Sequence, residues 1–169
     1  WSVDVGYHDV PRRDELEPGS FELTVAREEY EPFTFSVHAF RDLKDVRVEV
    51  GTFTGPAGAV LPRRAFEVRY VAYKFKRIGF SGAGLYGVVP FVIKPLSTVS
   101  VQNGQTRRFW VTVHPDADQP AGLYRGSLRL LVAGTPPRTM PVRVRVLPFR
   151  LPDADMGLGM YGVGITAPY

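Results

Sequence analysis

Few residues in this chain have the types and spacing that chemistry requires. "GAGLYG", Gly82 to Gly87, has the G-x-G-x-x-G spacing of a dinucleotide-binding turn. Such a turn works only between a strand and a helix, because the helix N-terminus holds the pyrophosphate. Here "VVPFVIKP" follows, with Pro90 and Pro95 bracketing β-branched residues, so no helix starts there. The ribose hydroxyls also need an acid about 20 residues on, and none stands between Glu67 and Asp116. "GLGMYG", Gly157 to Gly162, repeats the spacing without the frame. "GFSGAG" approaches a nucleophile elbow at Ser81 but breaks at Ala83. His8, His38 and His114 stand apart, without a second ligand at metal-site spacing. The last two read as strand-end residues. Glu28, Glu29 and Glu31 could set two carboxylates on one strand face, as a glycosidase pair would need. The simpler reading is a solvated edge paired to arginines, and Asp153 and Asp155 fall on an expected linker. The expectation is therefore no catalytic residue, no metal and no cofactor in this chain.

The aromatics give a different kind of candidate. Tyr73, Phe75, Phe80, Tyr86 and Phe91 gather in a long, basic, glycine-rich segment. Flat rings anchor protein interfaces and also stack on sugars. A loop this long inside a compact domain has a task or is mobile. Tyr73, Phe75, Phe80 and Tyr86 are read as protein-interface or sugar-contact residues, interface first, and Phe91 as core packing.

The elements that must carry these residues have period two. "FELTV", "FTFSV", "VRVEV", "FEVRY", "FWVTV", "LRLLV" and "VRVRV" each alternate apolar and polar residues. That pattern gives strands with one buried face. No stretch repeats apolar residues at helical spacing for three turns. Prolines and glycines fall between the runs, in "EPGS", "TGPAG", "QNGQ", "DQPAG" and "AGTPP". The fold class is all-β, an antiparallel sandwich of immunoglobulin-like or jelly-roll-like type, with a closed barrel as the alternative.

With 169 residues, 44% of them hydrophobic, the chain can bury one good-sized core. No apolar run approaches the ~18 residues of a spanning helix, so no membrane partner is expected. Cysteine is absent, which excludes disulfides and thiolate metal sites. No basic start with an apolar core marks a signal peptide, and the chain opens on Trp1, which leaves room for an upstream segment. An extracytoplasmic or secreted setting is the expectation. The charge is uneven: residues 1–60 hold 12 acids and 6 bases, residues 61–100 hold 7 bases and one acid. Basic residues spread along strands instead of clustering with stacking rings, so nucleic acid is not expected. The expected arrangement is acidic early strands lying beside basic late ones.

The alternation stops after "VRVRVLPF". Residues 1–149 read as the sandwich, 150–155 ("RLPDAD") as a linker, and 156–169 as the opening strand of a further domain. Two stretches carry a resemblance: "AREEYEPFTFSVHAFRDLKDVRVEV", and "VPFVIKPLSTVSVQNGQTRRFWVTVHPDADQPAGLYRGSLRLLVAG" with a last strand ending in "VLPFRLP". Together they are similar to the N-terminal β-sandwich of glycoside hydrolase family 123 and related uncharacterised glycosidase-like proteins. The resemblance spans roughly residues 20–160 and is most specific from Thr106 to Leu130. It implies that a (β/α)₈ barrel follows the proline linker, as partner of the sandwich. It implies a parent enzyme that removes a terminal β-linked N-acetylgalactosamine. That chemistry uses an Asp–Glu pair of the barrel and the substrate's own acetamido group as nucleophile. Those carboxylates would lie beyond residue 169, so no position here inherits them. The chain is then expected to be a non-catalytic accessory sandwich. An independent carbohydrate-binding module or a protein-interaction domain is the alternative.

Overall fold

The computed structural model describes residue 10, residues 20–77 and residues 84–152. The alternating runs become Phe21–Arg27 (β1), Glu31–His38 (β2), Leu43–Val50 (β3), Phe53–Thr54 (β4) and Val60–Leu61 (β5). Then come Phe66–Arg77 (β6), Tyr86–Pro95 (β7), Val99–Val101 (β8), Thr106–Val113 (β9), Gly122–Val132 (β10) and Thr135–Arg150 (β11). Among the described residues there is no α-helix, only two 3₁₀ turns, at Pro56–Gly58 and Arg63–Ala65.

The strands form two sheets. One has the order β1-β11-β10-β3-β8, with β4 and β5 branching from β10; the other has the order β2-β9-β6-β7. The alternation explains why they face each other. On β11, Met140, Val142, Val144 and Val146 are buried while Arg143 and Arg145 point to solvent. On β9, Phe109, Val111 and Val113 are buried. Both sets join one core with Val25, Phe35, Val46 and Leu128. Each such side chain contributes about 1.5–3 kcal/mol by leaving water. The sandwich read from the periodicity is the observed fold.

One pairing departs from the antiparallel rule. β1 lies parallel to β11, Phe21 opposite Val142 and Val25 opposite Val146. The first described strand thus closes the sheet beside the last. Local sequence cannot encode that choice, because nearly the whole domain lies between the two partners. The "AGTPP" turn is also shorter than its composition suggested, since β11 starts at Thr135 and includes Pro136 and Pro137. Those prolines lie where β11 has β10 but not β1 beside it, and an open edge tolerates a missing amide donor.

The charge arrangement agrees with the sequence reading. Glu22 of β1 faces Arg143 of β11 at 3.8 Å, and Glu49 of β3 faces Arg129 of β10 at 3.5 Å. Glu28 pairs with Arg150. These groups are about half exposed, and each pair is worth no more than about 1 kcal/mol. Glu49→Gln is expected to shift the urea midpoint only slightly, and less again in ~1 M salt where charges are screened. A loss above about 2 kcal/mol would show a structural role that this geometry does not give it.

The "DQPAGLYRG" stretch forms the best-organised corner of the core. Tyr124 is fully buried, and its hydroxyl donates to the Pro120 carbonyl at 2.6 Å. Gln119 Nε2 donates to that hydroxyl at 2.7 Å and to the Val60 carbonyl at 3.2 Å. A tyrosine hydroxyl returning to the backbone a few residues upstream is the tyrosine-corner device of sandwich folds. It ties the entry loop of β10 to the strand itself and to β5.

Candidate functional site

The candidate site is the outer part of the β6–β7 hairpin. The sequence predicts one long loop here. In the structure β6 runs on to Arg77, and β7 pairs with it from Tyr86 opposite Arg77 to Pro95 opposite Arg69. Gly87 lies within the strand β7 and no helix starts there, so the phosphate-binding frame is absent. β9 accompanies β6 only from Phe66 to Tyr70. Beyond Tyr70 the hairpin continues as a two-stranded ribbon, in which Val71 at its root is the only buried apolar side chain among the described residues.

Alternation sorts its side chains onto two faces. Phe75 opposite Val88 and Arg77 opposite Tyr86 share one face; Lys74 opposite Val89 and Lys76 opposite Gly87 share the other. The Phe75 and Tyr86 rings lie 5.7 Å apart between centroids and within 21° of parallel. They are 66% and 60% exposed, so packing inside this domain does not account for them. Leu85, 65% exposed, extends the apolar surface toward the turn.

Phe91 corrects its sequence assignment. It was expected in the core, yet it is 55% exposed. The ribbon overhangs the core here, so Pro90, Phe91 and Val92 are all exposed, and a bulge, with Ala72 opposite Val92 and Tyr73 opposite Pro90, leaves Phe91 unopposed. Its ring lies beneath the ammonium groups of Lys74 at 5.0 Å and Lys76 at 5.7 Å. At the root of the ribbon, Arg107 of β9 lies 5.8 Å from both the Tyr70 and the Tyr73 rings. Its Nη1 also donates to the Val71 carbonyl at 3.2 Å. Tyr73 is therefore held at the root, whereas Phe75 and Tyr86 are presented together. Phe80 lies outside the described residues, as do Ser81, Gly82, His8, Asp153, Asp155 and "GLGMYG". The pattern "AYKFKR" carries the signal for the lysine face, rings and lysines alternating at period two, which a loop assignment conceals.

The other chemical candidates resolve into structural roles. Glu29 accepts the Ala26 amide at 2.6 Å within the β1–β2 turn, where Glu28 adopts φ 61°. His38 closes β2 with Nδ1 2.8 Å from the Thr106 hydroxyl. His114 follows β9 and stacks on Tyr30, ring centroids 3.8 Å apart. A shallow groove of about 470 Å³ opens between the edges of β1 and β2, lined by Phe21, Phe33, Trp110, Glu22 and Thr34.

Phe75→Ser with Tyr86→Ser is expected to change the stability of this chain by no more than about 1.5 kcal/mol, the worth of one exposed ring pair. Chemical denaturation checks it. A larger loss would make these rings structural.

No family model matches the chain, and no curated protein matches it in sequence. Among solved structures, it is similar to a family 123 glycoside hydrolase from Clostridium perfringens. That match has a TM-score of 0.71 and 11% identity over 76% of this chain and 22% of that one. The PapD-like domain 7 of human CEP192 matches over 86% of this chain and 98% of its own length, with TM-score 0.40 and 10% identity. The periplasmic chaperone SfaE matches over 79% of this chain and 58% of its own, with TM-score 0.38 and 8% identity. At such identities the likeness is one of fold: this chain is a β-sandwich shaped like a part, about a fifth, of a much longer glycoside hydrolase.

Proposed function

We propose that this chain is a non-catalytic accessory β-sandwich of a glycoside-hydrolase-like protein, and that it packs on the following barrel domain through the β6–β7 hairpin. The observation that carries this reading is the exposed ring pair Phe75 and Tyr86, set on a ribbon beyond the core. Paired aromatics held on a strand lose little conformational freedom on docking and bury a large area, which is the profile of an interface anchor. The likeness to a segment of a long glycoside hydrolase supports the kind of partner.

The test uses the intact parent protein beside this chain alone. Phe75→Ala with Tyr86→Ala should lower the thermal midpoint of the parent by at least about 4 °C. The same change should move the isolated chain by less than half as much. The isolated chain should not hydrolyse aryl glycosides. Equal shifts in parent and isolated chain would end the docking reading, and robust turnover by the isolated chain would end the accessory one.

The groove beside Trp110 favours a second reading, a carbohydrate-binding module, since an indole, a carboxylate and a hydroxyl suit a sugar face and its edge. It predicts saturable affinity for a glycan, lost in Trp110→Ala. Unchanged binding in that variant would reject the groove as the sugar site.

A further inference from the structure

The docking reading leaves the second face of the hairpin unused. We infer that the Lys74/Lys76 face meets a carboxylate-bearing wall of the partner domain, so that the hairpin enters a groove with one apolar wall and one acidic wall. This rests on the docking reading above and adds the chemistry of the partner's surface.

Three observations carry it. First, the register separates the functions: the rings Phe75 and Tyr86 face one way and Lys74 and Lys76 the other. Only a partner that contacts both sides of a ribbon uses both sets. Second, the lysines are placed rather than loose. Both ammonium groups lie over the one Phe91 ring, which the bulge brings to that face. A held charge loses less freedom on pairing. Third, no described ion pair neutralises the two lysines. No acid occurs between Glu67 and Asp116 in the sequence.

The same geometry argues against other polyanions. A single-stranded nucleic acid uses stacking rings and cations lining one groove. Here the stacked pair Phe75 and Tyr86 faces away from Lys74 and Lys76, with Arg77 on its side and Phe91 under the lysines. A neutral sugar would use the rings and ignore the lysines. A groove in a protein meets both faces at once.

The experiment again uses the intact parent protein. Lys74→Glu with Lys76→Glu should lower its thermal midpoint by about 3–6 °C at ~50 mM salt, and the difference should shrink by more than half at ~500 mM. Lys74→Arg with Lys76→Arg should restore the wild-type midpoint. The Phe75→Ala, Tyr86→Ala loss should be insensitive to salt. Carbodiimide treatment of the wild-type parent should join Lys74 or Lys76 to an Asp or Glu outside residues 1–169, as read by peptide mass spectrometry. If the glutamate pair behaves as wild type while the ring pair still destabilises, the acidic wall is wrong and docking stands. If neither pair affects the parent, the docking reading itself is wrong. Lysine-dependent binding of the isolated chain to heparin or to phosphatidylserine vesicles, with no crosslink in the parent, would also overturn the inference in favour of a polyanion.

Discussion

Tyr124→Ala should cost about 3–5 kcal/mol, the largest single loss expected in this protein. The side chain is fully buried, so truncation leaves a cavity lined by core residues that cannot collapse. The hydroxyl bonds at 2.6 and 2.7 Å go with the ring, and the Nε2 of Gln119, a residue only 5% exposed, loses one of its two acceptors. Domains of this size have about 5–15 kcal/mol in all, so the variant should populate unfolded chain at growth temperature. Tyr124→Phe separates the terms. It keeps the ring and removes the hydroxyl, and it should cost about 1–2 kcal/mol. Urea unfolding of both variants checks the split. A Phe variant as damaging as Ala would mean that the corner hydrogen bonds, and not packing, hold β10.

Gly126→Val should come next, at about 3 kcal/mol or more. A Cβ at Gly126 would fall 2.5 Å from Cδ2 of Phe53, a ring that is itself fully buried. Phe53 cannot retreat, because it packs on Phe66 with centroids 4.5 Å apart. Overpacking of this kind forces side chains off their rotamers or shifts a strand. The second-site test is direct: Phe53→Leu should recover part of the loss in the Gly126→Val background while destabilising the wild type. Strict additivity of the two changes would show that Gly126 matters for another reason. Gly55 repeats the device, since a Cβ there would stand 2.5 Å from Cε1 of Tyr124. Two glycines thus flatten the backbone where two large rings must lie.

The outcome for the aromatic segment shows where sequence reasoning stops. The sequence marks Tyr73, Phe75, Phe80 and Tyr86 as a contact surface; Phe75 and Tyr86 are exposed together, Tyr73 lies at the root, and Phe80 is outside the described residues. Phe91 is expected from the sequence to pack in the core, and it does not. The overhang of the ribbon past β9 exposes it, and a bulge sets which face it takes; both are pairing events between strands, invisible along one of them. The lysine face was missed for a related reason. Without knowing that β6 continues to Arg77, alternation within "AYKFKR" has no face to refer to.

What the chain encodes locally is the set of strands and the side of each that turns inward. Period-two burial depends on residues two positions apart, so Val142, Val144 and Val146 announce their own face. The turns follow from proline and glycine for equally local reasons. Which strands become neighbours is a different matter. The parallel seam of β1 with β11, the Phe53–Gly126 contact and the overhang of the hairpin past β9 all join residues far apart in sequence. Those choices are made by packing two apolar faces without voids, a condition only the assembled tertiary structure can satisfy.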